Sequence, residues 1–251
     1  MTAEGADPYL LPRMGGGSSE DASRRGRAAV VAIDGPAGAG KSTVARALAE
    51  RLGFSLLDTG AIYRTLALAA VRRGVALADG AALADLAQGL PIAFDGTRVL
   101  LADEDVSVLI RAPEVSRDAS TVSAHGGVRA ALLDIQRRLA ARGRVVVEGR
   151  DIGTVVLPDA PVKFFLTARP EVRARRRFDE LVARGVAVDL DRTLAEIIDR
   201  DRRDEERAVA PLRRADDAEL VDTSELDLEQ VIAHMEAAAR GVLDASTFRP
   251  S

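Results

Sequence analysis

Nine residues, GPAGAGKST (35–43), constrain this chain more than any other stretch. They match G-x-x-x-x-G-K-[ST] through Gly35, Gly40, Lys41 and Ser42. They sit between a short apolar run, AAVVAID (28–34), and a segment of helical period from about Ser42 to Leu52, with Val44, Ala47, Leu48 and Leu52 on one face. A strand, a glycine-rich turn and a helix in that order build a phosphate cradle. The glycines let backbone N–H groups turn inward, and the helix N-terminus adds its positive end. Gly35, Pro36, Ala37, Gly38, Ala39, Gly40, Lys41, Ser42 and Thr43 are the expected nucleotide-binding residues. Lys41 supplies a compact charge for the β- and γ-phosphates, and the Ser42 hydroxyl is a candidate ligand of Mg²⁺. The chain holds only two lysines, Lys41 and Lys163, and uses arginine almost everywhere else a cation is wanted. A lysine at this one place fits a need for a point charge rather than a planar fork.

The rest of the chain alternates in the way such a turn requires. FSLLD (54–58), RVVVEG (144–149), VKFFLT (162–167) and AELVD (218–222) read as further buried strands. Helical patterns cover 61–74, 112–125, 128–142, 170–184, 190–207 and 227–242. This alternation predicts an α/β fold, a five-stranded parallel sheet with helices on both faces. Between about 90 and 110 the style changes to short extended runs around Asp95-Gly96, a hairpin signal, and a small antiparallel β insertion is expected there. Residues 1–27 lack periodic apolar pattern and read as a disordered tail, within which Met14 offers an alternative start.

Several function classes fall on composition. With no cysteine, thiolate metal sites and cysteine nucleophiles are excluded, and with only two histidines, far apart in sequence (His125, His234), a histidine-rich metal site is not expected. The net charge of −4 argues against a generic nucleic-acid binder. No run approaches the ~18 apolar residues of a membrane span. The arginines of 169–214 are interleaved with acids almost one for one, a pattern of self-pairing helix faces. The chain contains no asparagine, so the Asn-Lys-x-Asp guanine-reading loop of common GTPases is absent. A small-molecule kinase and a regulatory ATPase remain, the latter supported by Glu148 at the end of an apolar strand.

A kinase needs a second anion site. DTGAIYR (58–64) and GRDIG (149–153) each follow a strand, so Thr59, Arg64, Arg150 and Asp151 are expected at the carboxyl end of the sheet, where open α/β folds bind ligands. Arg64 and Arg150 are candidates to converge on one phosphate. Either motif alone is usually packing plus a surface charge; their joint placement shifts the balance.

GPAGAGKST, LLDTGAIYR, VEGRDIGTVVLPDA (147–160) and RDRRDEERAVAPL (200–212) together resemble the bacterial cytidylate kinase (CMP/dCMP kinase) family, in its order and spacing from residue 28 to about 242. The resemblance implies a nucleoside monophosphate kinase domain over 28–245, with a nucleoside-monophosphate-binding insertion at about 78–112 and a lid at about 169–200. It implies that Arg64, Arg150 and Arg207 hold the CMP phosphate, and that Tyr63, Arg200 and Asp204 contact the ribose side with Thr59 nearby. Ser120, Arg129 and Asp151 would read the cytosine, and Arg111 would add a contact from the insertion. A carboxylate accepting from N4 and an arginine donating to N3 and O2 disfavour uracil. Lys41, Arg64, Arg150 and Arg207 form the implied catalytic set.

The implied reaction is in-line transfer of the ATP γ-phosphoryl to CMP. A phosphate monoester with second pKa near ~6 is mostly dianionic at neutral pH, so no general base is needed. Alignment and charge neutralisation by Lys41, Mg²⁺ and arginines suffice. Arg173, Arg176 and Arg177 resemble lid arginines closing over the phosphates, with Arg176 an expected ATP contact. Mg²⁺ would be held by Ser42 and the phosphates, with Glu148 orienting its water. The alternatives are a kinase for UMP, AMP or shikimate, and an ATPase with a macromolecular partner. The expected molecule is a cytoplasmic monomer acting on CMP or dCMP and ATP, without nucleic acid or membrane.

Overall fold

A computed structural model of the chain describes residues 29–141 and 143–247. The tail expected over 1–27, and Met14 within it, lie outside the described residues. In chain order the elements are β1 (Val30–Asp34), α1 (Lys41–Leu52), β2 (Ser55–Asp58), α2 (Thr59–Arg72), α3 (Gly80–Gln88), β3 (Ile92–Asp95), β4 (Arg98–Leu101), β5 (Glu104–Asp105), α4 (Pro113–Val122) and α5 (Gly126–Ala140). There follow β6 (Val145–Glu148), β7 (Val162–Thr167), α6 (Pro170–Ala183), α7 (Leu190–Glu205), β8 (Glu219–Asp222) and α8 (Leu228–Thr247). Two compact units result, one of residues 59–141 and one of 29–58 with 143–247.

The second unit is built on a five-stranded sheet in the order β2-β6-β1-β7-β8. Every pairing is parallel, with Val31 opposite both Val146 and Val162. The unbroken apolar runs explain this. VVAI and VVV bury every residue of β1 and β6, so both faces of the middle of the sheet are covered. On one face Val31, Ile33, Val146, Phe164 and Leu166 meet Val44 and Leu48 of α1 and Val231, Ile232 and Met235 of α8. Each such aliphatic side chain contributes roughly 1.5–3 kcal/mol by leaving water. β1 lies at the centre, where the chain, having gone out to β2, returns through β6 on one side and β7 on the other. The carboxyl ends beside such a reversal are where an open sheet leaves a crevice.

In the first unit, β3, β4 and β5 form a three-stranded antiparallel sheet. Its first turn is the expected one: Asp95 pairs with Arg98, and Gly96 takes φ 59°, which suits glycine. The third strand, reached through Ala102 and Asp103 at positive φ, was not anticipated. Nor was α3, whose alanine- and glycine-rich GAALADLAQ offers a weak stripe but which is started by Asp79 accepting a hydrogen bond from the Ala82 N–H at 3.0 Å. Leu83, Ile92, Ile110 and Leu132 are fully buried and mark this unit's own core.

Candidate active site

Residues 35–40 join β1 to α1 with Gly35, Gly38 and Gly40 at positive φ (145°, 76° and 89°). Gly35 has no alternative. A Cβ there would lie 2.0 Å from the Leu166 carbonyl oxygen of β7, so the turn leaves the sheet against a neighbouring strand's backbone. Lys41 opens α1, is buried, and donates from Nζ to the Pro36 carbonyl at 2.6 Å, folding back over the turn. Burial, and then the nearby Arg150 charge, hold its ammonium well below the usual lysine range, while Glu148 and Asp34 oppose them. Such an ammonium is poised to gain from an arriving polyphosphate. Ser42 donates from Oγ to Glu148 Oε2 at 2.9 Å, joining the first turn of α1 to the end of β6. A hydroxyl and a buried carboxylate side by side at a phosphate cradle suit Mg²⁺, which takes few protein oxygens and keeps its waters. Among the described residues no group of three or more acidic or histidine side chains is placed to hold a metal by itself.

Arg150 and Asp151 follow β6, as the strand assignment requires, and Asp151 is buried. Arg150 donates from Nε to Asp204 Oδ2 at 3.0 Å. Asp204, near the end of α7, is itself buried. Burial pushes its carboxyl up, but the charges of Arg150, Arg200 and Arg207 outweigh that and hold it below the ordinary carboxylate range. Arg207 also donates from Nε to the Asp204 carbonyl at 3.2 Å. Three of the expected acceptor arginines therefore gather around one carboxylate.

The arginines of α6 have definite partners. Arg173 is buried; its Nε donates to the Ala168 carbonyl at 2.8 Å and its Nη1 to the Ala37 carbonyl at 3.1 Å, while it pairs with Asp201 of α7 at 2.6 Å. Arg176 donates from Nη1 to Thr223 Oγ1 (2.9 Å) and from Nη2 to the Thr223 carbonyl (2.7 Å), just past β8. Arg177 pairs with Glu180 one turn on. Arg173 thus fastens α6 and α7 to the turn at Ala37.

The remaining expected residues belong to the first unit. Thr59 starts α2 and is buried, as is Tyr63, while Arg64 is half-buried beside it in sequence. The Arg129 guanidinium of α5 stands 5.5 Å from the centre of the Tyr63 ring. Arg129 also donates from Nη1 to the Ser123 carbonyl at 3.4 Å. Ser120 is buried in α4, and Arg111 is exposed in a 3₁₀ turn at Leu109–Arg111. Tyr63 and Arg129, matched to ligand only through the resemblance, are brought together by packing.

One residue went unassigned in the sequence: Asp34. It ends β1, is buried, and accepts from the N–H groups of Ile152 and Gly153 at 2.8 and 2.7 Å. Burial raises its pKa to about 6 against the pull of those two bonds; the Asp151 charge adds to the rise and Lys41 opposes it. The signal was available, since an acid closes an otherwise wholly apolar strand directly before the glycine turn.

The sequence profile of the cytidylate kinase family matches residues 31–240. A cytidylate kinase of Citrifermentans bemidjiense is 53% identical over 215 residues, covering 84% of this chain and 92% of that protein. One of Mycobacterium leprae is 56% identical over 207 residues, covering 82% and 93%. In fold the chain is similar to an uncharacterized protein from Eubacterium ventriosum, with TM-score 0.50 and 15% identity over 86% of this chain and 99% of that one. With the phosphate cradle after β1, the arginine cluster after β6 and relatives matched over most of the length, the chain belongs to the cytidylate kinase family.

Proposed function

We propose that the chain transfers the γ-phosphoryl group of ATP to CMP or dCMP, giving ADP and CDP or dCDP. The observation that carries this is the pairing of two anion-seeking features at the carboxyl end of one parallel sheet. The glycine turn with Lys41 follows β1, and the Arg150, Arg200 and Arg207 group around Asp204 lies beyond β6. ATP takes the first, its phosphates meeting the 35–43 backbone and Lys41, with Arg176 toward the nucleotide. The acceptor phosphate takes Arg64, Arg150 and Arg207. Tyr63, Arg200 and Asp204 hold the sugar with Thr59 beside them, and Ser120, Arg129 and Asp151 read the base, with Arg111 joining from the 78–112 segment. Residues 169–200 serve as the lid.

No residue need take a proton. The acceptor oxygen is already anionic above the phosphate's second pKa of about 6. The chain's work is to neutralise and align. Arginines bring together two polyanions that repel each other, and Lys41 balances charge on the transferred group. Mg²⁺ would be held by Ser42 and the nucleotide phosphates with Glu148 behind, and it supplies neutralisation of the phosphate oxygens. The molecule works as a monomer in the cytoplasm. No helix among the described residues is long and apolar enough to cross a membrane, and the sequence carries no cysteine.

The test is ADP formation from Mg-ATP with CMP, dCMP, UMP, AMP or shikimate as acceptor. CMP and dCMP should lead by at least about tenfold, the scale of one lost bidentate base contact. Equal or faster turnover with AMP or shikimate would overturn the assignment. ATP turnover stimulated by a macromolecule without CMP would favour the regulatory ATPase instead.

A further inference from the structure

We infer that Asp34 is a positioning residue for acceptor recognition, acting through the backbone of the Arg150–Gly153 turn; this rests on the reading that Arg150 and Asp151 contact CMP. The residues after β6 turn at once into a single π-helical turn, Ile152–Val156, closed by Val155 and Val156 N–H donating to the Asp151 carbonyl and by Leu157 N–H donating to that of Ile152. The opening N–H groups of any helical turn have no partner within it. Here those of Ile152 and Gly153 are both taken by the Asp34 carboxylate, which comes from another strand, 118 and 119 residues earlier. β1 and β6 are adjacent, and the Gly149 N–H continues their ladder by donating to the Ile33 carbonyl at 2.9 Å. Between that bond and the Asp34 bonds lie only Arg150 and Asp151. The two residues assigned to the acceptor's phosphate and base are therefore strung between two fixed points, both supplied by β1.

The far side of the turn is closed as well. A Cβ on Gly153 would stand 3.1 Å from Lys163 Cδ and 3.4 Å from Asp34 Oδ2. Lys163 cannot swing away freely, because its Nζ donates to the Pro158 carbonyl and to Asp217 (2.7 Å). The turn is held by a carboxylate on its N–H groups and by a lysine stem against its glycine. This also gives the second of the chain's two lysines a task unrelated to phosphate.

The experiment measures steady-state kinetics of the full chain and of Asp34→Asn, Gly153→Ala and Asp151→Ala. CMP and UMP are varied at saturating Mg-ATP, and Mg-ATP is varied at saturating CMP, well below each variant's Tm. Asp34→Asn keeps the shape but turns an amide NH₂ toward one of the two N–H donors. Losing one bond to a charged group should raise KM for CMP about tenfold and lower the CMP-over-UMP preference by a like factor, with KM for ATP within about twofold. Gly153→Ala should move the same two quantities the same way by about threefold, since the stem it displaces is anchored only at its tip. A folded Asp34→Asn with unchanged KM for CMP and unchanged preference overturns the inference, as does an equal loss for ATP and CMP, which would mean damage to the glycine turn. Gly153→Ala decides in the same way should Asp34→Asn not fold. If Asp151→Ala itself leaves the preference intact, the base-reading assignment fails and takes the inference with it. If Asp151→Ala abolishes the preference and Asp34→Asn does not, the inference alone fails.

Discussion

Buried charge at this site is arranged so that single residues carry opposite signs of stability. Asp34 has its carboxyl raised to about 6, above the ordinary 3.8, because burial outweighs two N–H bonds. The folded state therefore binds its proton more tightly than the unfolded chain does. Its contribution is most favourable below the ordinary value, falls as pH rises through about 6, and is flat above. Across that window the loss is about 3 kcal/mol. Denaturant unfolding of the native chain and Asp34→Asn between pH 4 and pH 7 should show the native chain losing about 2 kcal/mol relative to the variant, since part of the loss already lies below pH 4; a pH-independent difference would contradict it. Asp204 runs the other way. Held below the ordinary range by Arg150, Arg200 and Arg207, it adds stability at neutral pH that is lost as pH falls through its folded value. Arg173 is a third case. Arg173→Met would leave Asp201 without its buried partner and should cost about 3–5 kcal/mol, with much of it regained in Arg173→Met/Asp201→Leu. A single substitution with unaltered midpoint in urea would show that this ion pair is energetically idle.

At the scale of elements, legibility followed burial. β1 and β6 are buried on both faces and spell apolar runs, each closed by an acid; β7, at the expected 162–167, stays legible through Val162, Phe164, Phe165 and Leu166 although Lys163 interrupts it. The glycine turn was legible because backbone geometry dictates residue type there. Gly35→Ala, with its Cβ 2.0 Å from a carbonyl oxygen of β7, should abolish nucleotide binding or folding, whereas Gly40→Ala meets nothing within 4 Å and is opposed only by its positive φ. Titration with an ATP analogue separates the two; equal effects would contradict the steric argument. What stayed hidden was either weakly patterned or made by partners distant in sequence. α3 lacks a strong stripe, and β5 is two exposed residues, Glu104 and Asp105. The π-helical turn depends on Asp34, over a hundred residues away. Spacing likewise showed Arg173 on a helix but not that its guanidinium reaches the Ala37 carbonyl.

Over the whole molecule, the cations are divided by kind. Both lysines are buried in the parallel-sheet unit, one at the glycine turn and one behind the turn after β6, and every other basic side chain apart from the two histidines is arginine. The proposed assignment also separates the ligands along the chain: ATP is given 35–43 and Arg176, and the acceptor is given Tyr63, Arg64, Ser120, Arg129, Arg150, Asp151, Arg200 and Arg207. Amide hydrogen exchange reads that division directly, because a ligand suppresses local opening only where it binds or where its binding is coupled. Mg-ATP alone should slow exchange in 35–52, with little change in 113–140. CMP should slow exchange in both 59–66 and 113–140, and also in 149–157. The Arg64→Ala variant should lose the CMP effect for every acceptor while keeping the ATP effect. Protection by CMP confined to 149–157 would show that the residues assigned to phosphate and base do not act on one ligand.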